Sequence, residues 1–449
     1  MEARYTIRTH PLLAECQGAP EMFEQVIPRL STCMTPCGTI FPGQVAAPHA
    51  TTSVCGLVSN LARNNVAAIA ERLGHSRLPL HALMGWAAWD DAPWRSAWRR
   101  QVTRPVGPGD GVLGCEPSGC AKAGRESVGV ARPWCGRLGT VDTCPVALDV
   151  GDVSSTGHTL VEQRLLLPTA WTQETARRDK AGVPNAYRAS RTRHQLAWEL
   201  WSTHGAWLPQ SGRAGDDERG RPAWLRRRLA VWGERDLLAV PSHPALRDRD
   251  TAPPVSSGRG RPGQRPWHRV ETWSPSLREA SWQRIDVRAG RKGPVVVAAG
   301  KRRGVSRTHR PQQGDAETVV VLRSRDRDQH EGVQGEDSLS HAVPETPLGA
   351  CARVATAAQR MAACLQRSKS AAGLADDAGR HGRGWQQQQT LSFLATWCLV
   401  RDTARGKKMA PCDHHTADAP RHRQDRARGI AMGHEAAQAQ GVSEALATP

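Results

Sequence analysis

The sequence predicts a mixed α/β fold, with a sheet flanked by helices, over most of its 449 residues. Three observations lead there. Apolar runs of strand length lie at 111–115, 143–150 and 158–167, the last stopped by Pro168, and short turns between them suggest an antiparallel meander. Helical and strand patterns then alternate: RTRHQLAWELWSTHG carries Leu196, Leu200 and Trp201 on one helical face, and 221–232 turns Leu225, Leu229 and Trp232 inward, with Arg226, Arg227 and Arg228 largely outward. Residues 237–240 add a strand, which completes a mixed layer. Third, Cys351, Val354, Ala358, Met361 and Leu365 mark a strong amphipathic helix over 346–367.

The flanks read differently. Residues 1–45 look irregular. In NNVAAIAERLG, Val66, Ile69, Ala70 and Leu73 recur at helical spacing, and Gly74 is a natural stop. A second helix is expected over 80–86, and Asp91 can cap a third, with Pro93 in its first turn. A helix-turn-helix and a plain helical bundle both fit this pattern. Residues 242–280 are rich in Pro, Gly, Ser and Arg and read as a linker or insertion. Strands resume at 284–287, 294–299 and 317–323, 324–343 reads as polar loop, and a last apolar helix covers 390–401. The tail beyond 403 is basic, then rich in Ala, Gln and His, and is expected to be disordered.

Composition narrows the function classes. Lys and Arg total 61 against 43 Asp and Glu, a formal charge of +18, which points to a polyanionic partner, most simply nucleic acid. A solvated basic surface is the plainer reading of the same charge. No apolar run is long enough to cross a membrane, and MEARYTIRTHPLLAEC has no signal-peptide core, so a cytoplasmic protein is expected. The 12 cysteines form no CxxC pair and read as inert thiols. Cys412, Asp413, His414 and His415 form a single cluster with no distant partner, weak grounds for a metal site. Trp385 and Trp397 read as packing residues.

An ordered series of blocks carries a family resemblance: ESVGVARPWCGRLGTVDTC, KAGVPNAYR, GDDERGRPAWLRRRLA, LLAVPS, KGPVVV, PETPL, LQRSKSAAGLAD, QTLSFLATW and RGKKM. Together, over about 52 to 420, they resemble bacterial insertion-sequence transposases of the insertion sequence 701 family. The resemblance implies a DDE-type enzyme: an RNase H-like mixed-sheet core flanked by helices, a β-rich insertion, and an N-terminal helical domain. The implied layout is an irregular segment 1–45, a helical and possibly DNA-binding domain 46–105, the first part of the core 106–241, the insertion 242–343, the core's C-terminal helices 344–402 and the tail 403–449. The implied partners are double-stranded DNA, both terminal inverted repeats and target DNA, with a homodimer possible. The implied activity is Mg²⁺-dependent nicking followed by strand transfer.

Such chemistry uses two divalent ions about 4 Å apart, one activating the attacking oxygen and one stabilising the leaving oxygen. Mg²⁺ favours carboxylate oxygens, so three carboxylates must converge. The family's first Asp maps to Glu116 in GVLGCEPSG, and the second to Asp216 in GDDE, beside Asp217. These two would hold metal. The third acid maps to the long helix, where QRMAACLQRSK places Ala362 and Ala363. Ala362 lies four residues after Ala358 and three before Leu365, beside the apolar face, and cannot bind metal. Asp376 and Asp377 lie beyond a break at Gly373 and do not replace it. Arg226, Arg227 and Lys369 are candidate DNA contacts, as are Lys301, Arg302 and Arg303, with solvated charge as the plainer reading. Other departures are Cys120 and Ala121 in place of Phe-Pro, Asp236 in place of a strand Tyr, and GVQGEDSLSH, which should make a poor strand before PETPL. The expected outcome is impaired catalysis. Alternatives are a catalytically silent DNA binder and a decayed copy that does not fold.

Overall fold

A computed structural model describes residues 29, 30, 32 and 34, most of 46–99 and most of 110–409. The described residues through Lys408 belong to one compact unit. Most of the 1–45 segment, the cap Asp91, the Cys412–His415 cluster and the tail from 410 lie outside the described residues. Where 1–45 is described it is helical rather than irregular, with Leu30 and Met34 buried in the core.

Three helices open the described chain: α1 (Ala46–Leu57), α2 (Val66–Leu73) and α3 (Arg77–His81). Asn65 caps α2 by accepting from the Ala68 amide at 2.9 Å, and Gly74 ends it in the left-handed region at φ 68°, the stop expected from sequence. The second expected helix is instead α3 followed by a π-helical turn at Ala82–Trp86. Leu57, Ile69, Leu73 and Leu80 share one core cluster with Leu113, Leu148 and Leu391. The opening helices therefore pack into the hydrophobic core of the sheet.

The sheet begins with β1 (Gly111–Gly119), β2 (Val146–Val153) and β3 (His158–Leu166), an antiparallel meander. Helix α4 (Arg193–His204) leads to β4 (Gln210–Gly215), which lies parallel to β1. Helices α5 (Asp217–Gly220) and α6 (Ala223–Val231) then lead to β5 (Asp236–Ala239), parallel to β4. The order is thus β3-β2-β1-β4-β5, with parallel strands joined through helices as such connections require. The next strands are β6 (Ala245–Asp248), β7 (His268–Arg269), β8 (Gln283–Gly290), β9 (Gly293–Arg307), β10 (Gln313–Ser324) and β11 (Gln334–Ser340). They continue the same sheet past β5 in the order β11-β10-β9-β6-β7, with β8 also on β9. Helices α7 (Leu348–Ala371) and α8 (Gly382–Met409) close the fold.

Three expectations need correction. The 324–343 stretch is not all loop, because β11 occupies GEDSLS and pairs with both β10 and β5. Its poor intrinsic strand propensity is overridden by ladders on both sides, the context in which propensity counts least. The 242–280 segment is more than a linker, since β6 and β7 lie within it. Finally, α8 runs to Met409, past the expected end at Arg401 and into the tail expected to be disordered.

The two faces of the sheet are covered by different helices. Leu113 and Cys115 of β1 share a cluster with Leu196, Leu200 and Trp201 of α4 and with Leu225 and Leu229 of α6. Val112 and Ala214 share another with Ala352, Met361, Cys364 and Leu365 of α7. Neither Gly114 nor Gly151, its partner on β2, has room for a side chain. A Cβ on Gly114 would stand 2.9 Å from the Met361 Cβ, and one on Gly151 would run into the Met361 sulfur. These two glycines let α7 lie directly on the sheet.

A candidate active site at the carboxyl edge of β1 and β4

The alternation of a strand fixes which side chains can meet. On β1, Val112 and Gly114 face α7, so Glu116 does too. The parallel register pairs Gly114 with Ala214 and Cys115 with Gly215. The next residues on the two strands are Glu116 and Asp216. Glu116 is still within β1 and Asp216 directly follows β4, so both lie one residue past the last parallel pair, on the side of the sheet that α7 covers. Both are half-buried. Asp216 begins the turn into α5, where its carbonyl accepts from the Gly220 amide at 3.1 Å. The two acids mapped from sequence are therefore brought to the same edge of the sheet.

Position 362 can be placed by helical geometry. Met361 points into the sheet. Arg360 donates to the carbonyls of Ser154 (2.5 Å) and Gly157 (3.3 Å), in the turn between β2 and β3. That turn lies at the amino end of β1, because Val112 pairs with Val153. Successive helical residues are turned by about 100°, so Ala362 lies on the flank opposite Arg360, toward the Glu116 end. Lys369, seven residues on, shares that flank. Its charge acts on Asp149 and Cys120, which lie at the same end. Ala362 is exposed, so the flank opens to solvent. Helix α7 ends at Ala371, and Gly373 follows at φ 69°. Asp377 beyond it pairs with Lys122 and accepts from the Gly379 amide.

A fourth acid escaped the sequence reading. Asp149 on β2 pairs with Glu116 across the ladder and shares its face. It is fully buried. Burial pushes its carboxyl up to about 7; the Lys369 charge and the neighbouring Ser118 and Gln163 oppose that shift without reversing it. Its sequence signal was available: in VALDVGDV, Asp149 interrupts an apolar strand whose residues are all buried.

The structure divides the candidate cations. Arg227 is exposed on α6, as expected. Arg226 is not: it is buried at 4 % exposure, donates to the carbonyls of Gly220 and Arg221, and reaches Ser306 Oγ on β9 at 2.9 Å. Helical spacing turns Arg226 inward beside Leu225, and its guanidinium ties α6 to the outer half of the sheet. Lys301 donates to the Thr346 carbonyl, Arg302 to Ser281 and Arg303 to Asp250, so these three serve the fold. Arg226→Met should lower stability by about 2–4 kcal/mol, the loss of charged hydrogen bonds that leaves buried acceptors unpaired. Arg227→Gln should leave stability within ~0.5 kcal/mol and reduce the salt dependence of DNA binding by about one counterion. Denaturant titration and binding isotherms at several salt concentrations separate the two.

Trp397 is a packing residue, as expected, edge-on to Trp98 with ring centroids 5.6 Å apart. Trp385 is likewise buried. Among the described residues, no group of three or more His, Cys, Asp or Glu side chains is placed to hold a metal ion. Glu116 and Asp216 supply the hard oxygen donors that Mg²⁺ prefers, but with alanine at 362 the donor set falls short of a metal pair. No helix among the described residues is long and apolar enough to cross a membrane.

A 3-2-1-4-5 strand order flanked by helices is that of an RNase H-like nuclease fold. Residues 41–294 match the family model described as DDE superfamily endonuclease, and the chain belongs to that family. No curated protein matches it. Nucleases of this superfamily generally use divalent metal ions, and their substrate is DNA.

Proposed function

We propose that the chain is an insertion-sequence transposase of the insertion sequence 701 type whose metal-dependent cleavage and strand transfer are impaired. It binds duplex DNA, namely the element's terminal inverted repeats and a target, in the cytoplasm, and a homodimer would bring two ends together. One observation carries this reading. Glu116 and Asp216 each follow the last parallel pair of β1 and β4, and the exposed Ala362 on α7 is the position we assign to the third carboxylate. The scaffold of the reaction is kept while one ligand is missing. Glu116 also sets its carboxylate one methylene farther out than Asp, and a displacement of about 1 Å costs on the order of a hundredfold in rate. Lys369 and Arg227 would then position phosphates.

With alanine at 362, a second reading is a catalytically silent protein that still occupies DNA ends. Binding and nicking of labelled duplexes carrying the flanking repeats, in Mg²⁺ and in EDTA, test both. The first reading expects salt-sensitive binding in either buffer and slow nicking only in Mg²⁺, abolished by Asp216→Asn. Binding without any nicking selects the second. A folded protein with no affinity for DNA would overturn both.

A further inference from the structure

The face of the molecule opposite α7 carries a ladder of planar side chains that the nuclease site does not use. Trp224 and Arg228 lie four apart on α6, so they are neighbours along the helix. The Arg228 guanidinium lies 5.8 Å from the Trp224 ring centroid and 5.2 Å from that of Trp198 on α4. Trp198 packs against Trp232, just after α6, with centroids 5.2 Å apart and planes inclined at 56°. Arg213 of β4, fully buried, closes the inner end 4.5 Å from the Trp232 ring. The order is Trp224, Arg228, Trp198, Trp232, Arg213. Three indoles and two guanidiniums form one continuous series of contacts, with Arg213 buried at one end.

Both Trp224 and Trp232 reach solvent. Trp224 is 39 % exposed, Trp232 38 % and the adjacent Val231 91 %. Arg227 and Arg228 are exposed beside them, and the α6 sequence AWLRRRLAV contains no acid. An apolar patch left open to water and rimmed by cations marks a binding surface. Its chemistry is selective: rings and guanidinium planes accept flat partners by stacking, and the arginines favour anions. A nucleic-acid strand with unpaired bases offers both, and base stacking on such platforms tolerates any sequence.

The ladder is also well placed. Helix α5 starts directly after Asp216 and packs on the carboxyl end of β5, where Gly220 lies against the Ala239 carbonyl with no room for a Cβ. Trp224 follows after four residues. The exposed end of the ladder therefore sits at the sheet edge that carries Glu116 and Asp216, whereas Trp232 and Arg213 lie toward the amino end of β4.

We propose that Trp224, backed by Arg228 and Trp198, is a stacking platform for an unpaired base of DNA held at the carboxylate edge, with Arg227 on the adjoining phosphate. The proposal rests on the nuclease reading for its choice of DNA over other polyanions. It adds a preference that reading does not contain: affinity for a strand end over an intact duplex.

The test compares a blunt duplex with the same duplex bearing a single-stranded overhang that contains 2-aminopurine, using the full chain in EDTA. The parent protein should bind the overhang substrate more tightly and change the 2-aminopurine emission. Trp224→Ala should cost about tenfold in overhang affinity, Trp224→Phe much less, and neither should change blunt-duplex affinity. Because Trp224 is at the surface, both variants should fold, which a thermal melt confirms. A parent protein that binds duplex but shows no preference for the overhang overturns the platform while leaving the nuclease reading intact. So does an equal loss on both substrates in Trp224→Ala, or a loss that follows dissociation of an oligomer measured by light scattering. A parent protein that binds neither substrate overturns both readings.

Discussion

Replacing Ala362 with Glu, together with Glu116→Asp, should raise Mg²⁺-dependent nicking by on the order of a hundredfold or more over the parent chain. The expectation follows from where the three positions lie. Glu116 and Asp216 each follow the last pair of the β1–β4 parallel ladder, and residue 362 is exposed on the flank of α7 that helical geometry turns toward the Glu116 end. Glu is a good helix former and position 362 is exposed, so the substitution should cost only a few tenths of a kcal/mol in helix propensity. A carboxylate added at 362 to those at 116, 216 and 149 adds like-charge repulsion that a divalent cation relieves. The doubly substituted protein should therefore gain thermal stability in Mg²⁺ where the parent gains little, since a ligand that binds only the native state stabilises it. That shift reads metal binding without reference to turnover. A soluble, folded double variant that shows neither the shift nor faster nicking would mean that residue 362 is not where the third ligand belongs.

The sequence carried the central architecture well. The three strands of the meander and the strand at 237–240 showed as short apolar runs and the helices that follow as one-faced apolar periodicity, so their order could be read directly. The pairing of Glu116 with Asp216 was less accessible. Nothing local to GVLGCEPSG or GDDE says that these segments are parallel neighbours; the β1–β4 register, which runs to Cys115 and Gly215, shows that the two strands are. Two kinds of residue were misread. Arg226 looked like one of three equivalent surface cations, yet a single helical step turns it inward onto the Gly220 carbonyl and Ser306. Charge alone cannot distinguish a solvated arginine from one that staples two elements. GVQGEDSLSH failed every test of strand propensity, but a long-range partner on each side makes it a strand. Both errors come from tertiary contacts, which a local pattern does not encode.

Asp149 offers the second large effect, in stability. Its carboxyl ionises near 3.8 when unfolded and is raised to about 7 in the native state, chiefly by burial. The sign follows from proton binding. Below about pH 4 both states hold the proton, and Asp149 costs nothing. Between about 4 and 7 the native state keeps a proton that the unfolded chain has released, so stability falls as pH rises; above about 7 the loss is complete. At ~1.4 kcal/mol per pH unit the full loss is about 4 kcal/mol. Asp152, on the same strand, adds a loss of the same sign, raised by burial and by the nearby Asp110. Asp149→Asn removes the ionisation while keeping the shape. It should leave stability at pH 4 nearly unchanged and raise it at pH 8 by up to about 4 kcal/mol, less whatever the neutral side chain loses by no longer attracting Lys369. Urea titrations of parent and variant across that range measure the difference directly. An unchanged pH slope in the variant would show that Asp149 is ionised in the folded protein and held by the Lys369 ammonium, in which case the negative charge opposite Glu116 belongs to the cleft as it stands at neutral pH.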